Sequence, residues 1–349
     1  MTTLKDRIIS MIRAGGPMNV GAYMNTCLHD PKQGYYATRP GLGQDFITAP
    51  ETSQIFGELL GLWAAHEWQQ MGSPKRVSLV EVGPGRGTLM SDALRAASSV
   101  PGFAAAIELY FVEPSPVLRA ALAERLAVYE PQFLDGIEDI PTSQPFILLS
   151  NEWLDCLPAR QFVKVGDEWH ERVVGVSPEE ELVFGLSVSE AEDDEGAIGS
   201  GAVEVQSGLE TLVAGMSALL SKTTGRALFI DYGPSDVSPG DTLRAYKDGE
   251  QIDPLAMPGE CDLTVDVDFG RLARLADKAG LLVSGPVPQG HFLLALGAEA
   301  RLNQLAKADP GQGQALYEGV KKLVDPAEMG ERFKALAIGS AALPPAAGL

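Results

Sequence analysis

Basic residues, cysteine, histidine and long apolar runs are all scarce in this chain of 349 residues. Lysine and arginine number 27 against 47 aspartates and glutamates, a net charge of −20. That balance excludes a nucleic-acid surface, which needs a basic stripe, and it excludes docking on anionic lipid. A basic protein or peptide remains a compatible partner, although most of these carboxylates read as solvated surface. The three cysteines, Cys27, Cys156 and Cys261, are odd in number and scattered, so neither a disulfide framework nor a CxxC pair is visible and a reducing compartment is expected. The four histidines, His29, His66, His170 and His291, lie at metal-ligand spacing neither from one another nor from a cysteine, and no metal is expected. No apolar run approaches the length of a membrane span, and the first residues lack a basic start followed by an apolar core. The expectation is a cytoplasmic protein without membrane insertion.

What remains is an ordinary globular composition, 45% hydrophobic and 21% charged, in a chain long enough for one large domain or one domain with a sizeable insertion. Its organising stretch is Val77 to Leu89, where the apolar run Val77-Ser78-Leu79-Val80-Glu81-Val82 breaks at Gly83-Pro84-Gly85-Arg86-Gly87 and resumes as a helical pattern. The run has the length and β-branched content of a buried parallel strand, and the glycines let a ligand approach bare backbone at the next helix N-terminus. The spacing is Gly-x-Gly-x-Gly with Glu81 just before it, whereas the dinucleotide fingerprint is Gly-x-Gly-x-x-Gly. An acid beside the turn repels a pyrophosphate and suits an ammonium and a sulfonium, so the local chemistry favours S-adenosylmethionine over NAD. The alternative is a turn that only brings a helix close to a sheet.

Around this unit the pattern is doubly wound α/β. Helical spacing marks Leu4 to Ile12 and Asn19 to Leu28, and Thr48-Ala49-Pro50-Glu51 supplies an N-cap, an early proline and a capping-box acid for a long helix reaching about Gln70. Further buried strands are predicted at 107–114, 131–135, 145–152 and 226–233, with closing strands at Leu281–Ser284 and His291–Leu296. Ligands in open α/β sheets bind beyond the carboxyl ends of the strands, where Glu81, Glu113, Asp135, Asn151 and Glu152 converge. Glu113 lies at the distance past the turn expected of a ribose acid; the competing reading is an N-cap acid for the following helix. The period then changes to alternation, and 168–174 with 182–186 reads as an inserted antiparallel pair, followed by an acidic stretch, Glu190 to Glu195, and a small-residue stretch, Gly196 to Gly201. Pro234 to Glu260 reads as a long loop, the region after Leu302 as helical through Phe333, and Ala341 to Leu349 as a loose tail.

Several of these segments together resemble the MidA family: 45–51 (Asp-Phe-Ile-Thr-Ala-Pro-Glu), Phe56-Gly57-Glu58, the glycine turn, 150–158 (Ser-Asn-Glu-Trp-Leu-Asp-Cys-Leu-Pro), Asp231-Tyr232-Gly233, and Asp262-Leu263-Thr264 with Val267-Asp268-Phe269. They occur in the right order over nearly the whole chain. The resemblance implies a class I, Rossmann-like methyltransferase fold using S-adenosylmethionine. The family's best-known members are mitochondrial complex I assembly methyltransferases, one of which dimethylates an arginine on the subunit that lines the quinone site. On this basis the expected divisions are an N-terminal helical cap at 1–74, a methyltransferase core at 75–162 and 205–300, an inserted β/loop substrate region at 163–204, and a C-terminal segment at 301–349. Gly83, Gly85 and Gly87 match the cofactor turn, Glu113 the ribose acid, and Asn151-Glu152 the motif after the fourth strand. The chain departs from the family at Asp266, usually a histidine, and around Lys247-Asp248-Gly249, both within the expected substrate region.

Methyl transfer from a sulfonium is an in-line displacement that asks for alignment and a nucleophile with an available lone pair. Arginine is protonated in water, so carboxylates should localise its charge and receive its proton. Glu152 and Asp155 are the catalytic candidates, facing one side if their stretch begins a helix; otherwise Asp155 caps the turn and Glu152 bonds backbone. Glu81, Gly83, Gly85, Gly87, Glu113, Asp135 and Asn151 are the cofactor candidates, and Asp45, Thr48, Glu51 and Asp231 the substrate or lid candidates. A non-catalytic assembly factor that binds the cofactor, and a methyltransferase of small molecules, stand as alternatives.

Overall fold

Val77–Val82 is buried at every position, as a parallel strand covered on both faces must be. It is β1 of a seven-stranded sheet that continues with β2 (Ile107–Val112), β3 (Gln132–Leu134), β4 (Phe146–Asn151), β5 (Gly225–Tyr232), β6 (Leu282–Pro288) and β7 (Phe333–Gly339), in the order β3-β2-β1-β4-β5-β7-β6. Strands β1 to β5 run parallel, and β7 lies antiparallel between β5 and β6. The strand order reverses between β1 and β4, which is where open α/β sheets bind ligands. The computed structural model describes residues 2–38, 48–188, 202–235 and 240–349.

The chain divides into two compact units, one of residues 47–154, 212–235 and 269–349 containing this sheet, the other of residues 1–46, 155–211 and 236–268. In the sheet unit the helix Gln54–Gln70 lies against the helix Thr88–Ala97 so closely that a Cβ on Gly61 would stand 2.2 Å from the Ala93 carbonyl oxygen. Leu59, Leu60 and Trp63 join Leu79, Leu109 and Ile147 in one core, while Leu62 is 38% exposed. The second unit carries a five-stranded antiparallel sheet, including the expected pairing of Glu168–Val176 with Leu182–Val188, and a three-stranded sheet. The acidic and small-residue stretches 190–195 and 196–201 lie outside the described residues.

Five expectations are corrected. The helix expected from Thr48 is two pieces, Ala49–Thr52 and Gln54–Gln70, with Ser53 extended between them and its hydroxyl capping Ile55; the Thr48 side chain makes no cap. His291 to Ala295 falls in the helix Gln289–Ala295, which Leu296 caps, and the helical reading of Phe333 gives way to β7, the strand seated between β5 and β6. Short apolar runs without strong β-branching leave that choice to tertiary neighbours. The stretch from Pro234 contains a hairpin, Arg244–Lys247 with Glu250–Ile252, closed by Asp248 (φ 51°) and Gly249 (φ 80°), the Asp-Gly signature of a two-residue turn. Finally, the terminal segment is pinned rather than loose: the Ala346 amide donates to Ser284 Oγ at 3.0 Å and the Ala347 amide to Glu67 Oε1 at 3.1 Å.

Candidate active site

The turn after β1 is left-handed at all three glycines, with φ of 64° at Gly83, 51° at Gly85 and 73° at Gly87, which residues bearing a Cβ rarely adopt. The glycines do different work. A Cβ on Gly83 would stand 3.0 Å from Trp153 Cδ1, and one on Gly87 would stand 2.6 Å from Leu122 Cδ2. Gly87 thus admits the helix Pro116–Arg125 to the turn, a packing role beside the expected cofactor role. Arg125 Nη1 donates to the Arg86 carbonyl at 2.9 Å and holds the turn from the same side.

Glu81 is 3% exposed, and its Oε2 has no partner among the described residues. Burial pushes its carboxyl well above the usual range, with Arg125 opposing. The β1–β4 register sets Glu81 opposite Leu149, so Asn151, two residues on, shares its face; Ser150 is opposite Val82 on the other. Asn151 Oδ1 and Ser150 Oγ are likewise buried without partners among the described residues. A buried acceptor left unpaired costs free energy that a donor-bearing ligand would recover. Glu81 Oε2 and Asn151 Oδ1, on one face beside the glycine turn, fit a nucleoside-like molecule carrying an ammonium group and hydroxyls. Ser150 was not among the sequence candidates; its signal was its place at the last buried position of β4.

Glu113 follows β2 and is 5% exposed, with Oε1 accepting from the Ser115 amide at 2.7 Å. Burial raises its pKa, while the Ser115 bond and Arg119 pull the other way. Ser115, rather than Glu113, caps the following helix. Asp135 follows β3 at the same rim but is largely exposed and pairs with Arg119 at 2.5 Å. Glu51 pairs with Arg86 of the glycine turn at 3.5 Å, and Asp45 lies outside the described residues.

The loop after β4 is held tightly. Glu152 is left-handed at φ 51°, its amide donates to the Ile230 carbonyl at 2.9 Å, and its Oε1 accepts from Ala49 N at 3.0 Å and Asn151 Nδ2 at 2.9 Å. The stretch does not begin an α-helix, so the expected common face for Glu152 and Asp155 is not formed: a short 3-10 turn, Leu154–Cys156, follows instead. Asp155 belongs to the second unit, 8% exposed, its carbonyl accepting from Val265 N at 3.1 Å. Asp231, expected at a substrate or lid, is fully enclosed and bonds backbone: Oδ2 accepts from Trp153 N at 3.0 Å and Leu154 N at 2.8 Å.

Residues 59–287 match a family described as "Putative S-adenosyl-L-methionine-dependent methyltransferase". The chain belongs to this family. The protein arginine methyltransferase NDUFAF7 homolog of Drosophila melanogaster, named mitochondrial, is 36% identical over 96% of this chain and 84% of its own length. The human protein arginine methyltransferase NDUFAF7, also named mitochondrial, is 35% identical over 97% of this chain and 83% of its own. A crystal structure from Burkholderia thailandensis, bound to S-adenosyl-homocysteine, superposes with a TM-score of 0.86 at 27% identity, covering 99% of this chain and 93% of that one. The MidA-like resemblance and the class I methyltransferase fold are therefore established, and the protein is an S-adenosylmethionine-dependent methyltransferase. The expectation of a cytoplasmic location does not stand, because the relatives are named as mitochondrial proteins.

Proposed function

We propose that the protein methylates an arginine of a protein substrate, in the first place a subunit of respiratory complex I during its assembly. The observation that carries the reading is similarity over nearly the full chain to relatives named protein arginine methyltransferases. The net charge of −20 suits a basic, arginine-bearing segment.

S-adenosylmethionine, when bound, supplies a methyl group on a sulfonium that needs no acid to leave. Gly83 and Gly85 give it bare backbone, Glu81 and Asn151 acceptors for its ammonium and polar groups, and Glu113 an acceptor for ribose hydroxyls. Asp135 is proposed at the rim of the same site, and Glu51 holds the turn through Arg86. Glu152 is the proposed partner of the substrate guanidinium: it localises the positive charge and receives the proton released as the nitrogen is methylated. Its bonds to Ala49 and Asn151 fix one oxygen and so orient the carboxylate. Asp155 enters as the second carboxylate on its sequence position alone, and its variant is tested separately.

The test is transfer of isotope label from S-adenosylmethionine into proteins of the source cell, with the modified residue located by mass spectrometry and Gly85→Val as the control. Label on an arginine, absent with Gly85→Val and with Glu152→Gln, is the expected result. Label on a small molecule would overturn the substrate, and no label despite measurable cofactor binding would leave an assembly factor that binds the cofactor without using it.

A further inference from the structure

Trp153 and Gly83 meet where the loop after β4 crosses the glycine turn, with only 3.0 Å between Trp153 Cδ1 and the place a Cβ would occupy on Gly83. The loop reaches that position through Glu152 at φ 51°, a conformation that a residue with a side chain keeps only when its surroundings impose it. The sequence around it offers no glycine to take that conformation. Glu152 is followed by Trp153, not by glycine, and the segment lies in no regular helix.

The imposing group stands on the neighbouring strand. Asp231, near the end of β5, is fully buried, and three backbone amides converge on its carboxylate: Trp153 N at 3.0 Å and Leu154 N at 2.8 Å on Oδ2, Tyr232 N at 2.9 Å on Oδ1. One residue earlier, the Ile230 carbonyl takes the Glu152 amide at 2.9 Å. The two consecutive residues of β5 thus capture the three consecutive amides of Glu152, Trp153 and Leu154. A carboxylate suits this place because it has acceptors on both oxygens and no hydrogen to present.

We propose that Asp231 is a positioning residue for methyl transfer: by capturing the Trp153 and Leu154 amides it sets the left-handed turn at Glu152 and thereby lays Trp153 against the glycine turn that receives the methyl donor. The inference rests on the reading of that turn as the donor site. It assigns Asp231 no contact with substrate or cofactor. Its influence passes through the loop.

The variant is Asp231→Asn in the full chain, which turns an NH2 group toward at least one backbone N–H. Two readouts are taken well below the unfolding temperature. The first is the Trp153 contribution to fluorescence, obtained by subtracting the Trp153→Phe spectrum in each background. The second is the affinity for S-adenosylhomocysteine by calorimetry. The expected result is a shifted Trp153 contribution and an affinity weaker by about tenfold or more, as for loss of a hydrogen bond to a charged group. The double variant Asp231→Asn with Glu152→Gly should regain most of that affinity, because glycine enters the left-handed region without being held there. A merely structural Asp231 would lower the unfolding temperature, leave both readouts in place and show no rescue. An unchanged Trp153 contribution or an unchanged affinity in folded Asp231→Asn overturns the proposal. Should Asp231→Asn not accumulate folded, Asp231→Ser, which can still accept one amide, takes its place with the same outcomes. If the unaltered protein itself fails to bind S-adenosylhomocysteine, the donor-site reading falls and the proposal with it, whereas binding by the unaltered protein with no loss in the variant removes the proposal alone.

Discussion

Glu67 Oε2 stands 3.1 Å from Arg226 Nε, and both side chains are sealed from solvent. Arg226 is the second residue of β5, at the end of the sheet away from the glycine turn. Burial pulls its pKa down and Glu67 holds it up, so the ion pair depends on its geometry. The same two residues bind the end of the chain. Glu67 Oε1 accepts from Ala347 N at 3.1 Å, Arg226 donates to the Pro344 carbonyl, and Trp63 Nε1 donates to the Ala347 carbonyl at 3.2 Å.

Removing one member of this pair strands the other. Glu67→Leu should lower unfolding free energy by about 3–5 kcal/mol, the usual cost of leaving a buried charge alone. Glu67→Leu combined with Arg226→Met should recover most of it, since an apolar pair of similar volume has no charge to desolvate. Urea unfolding of the three proteins checks this, and additive losses in the double variant would show that the two side chains do not act as a pair.

The glycines of the turn should separate by consequence. Gly83→Ala meets Trp153 and should weaken S-adenosylhomocysteine binding about tenfold or more, the scale of a lost hydrogen bond to a charged group. Gly87→Ala meets Leu122 and should act mainly on stability, costing about 1–3 kcal/mol as overpacking does. Both carry the added strain of positive φ. Calorimetric affinity and thermal unfolding, measured on each, should rank the two variants in opposite orders.

Desolvation of Glu113 outweighs the opposing pull of the Ser115 bond and Arg119. Because its folded pKa is raised, its contribution to stability is whole below the unfolded value of about 4.3 and is lost as pH rises through the folded one. Glu113→Gln keeps an acceptor for Ser115 N, so it should be more stable than the unaltered protein at pH 7 and no more stable at pH 4. The same variant should bind S-adenosylhomocysteine about 10- to 100-fold more weakly, the value of hydrogen bonds to a charged acceptor. Stability and affinity moving together would contradict a ribose role.

The sheet was legible because burial writes itself into composition. Val77–Val82, Ile107–Val112 and Phe146–Asn151 are apolar runs of strand length bounded by turn residues, and a strand covered on both faces needs such a run. The glycine turn was legible through its spacing and Glu81, and the Asp248-Gly249 hairpin could have been read from its dipeptide. Phe333–Gly339 could not, since its two alanines and its leucine suit a helix equally well.

The sequence by itself therefore determined the parallel core, the glycine turn and the rim on which Glu81, Glu113, Asn151 and Glu152 gather, because these follow from local patterns of apolar and turn-forming residues. Only the tertiary structure decided that Gly87 packs against Leu122, that Ser53 interrupts the helix expected from Thr48, and that Asp231 faces backbone amides. It alone joined Glu67 to Arg226, residues 159 positions apart. The physical reason is common to Gly87, Asp231 and the Glu67–Arg226 pair: each depends on a partner distant in the chain, and hydrogen-bond satisfaction and close packing are set by what folding brings within a few ångströms.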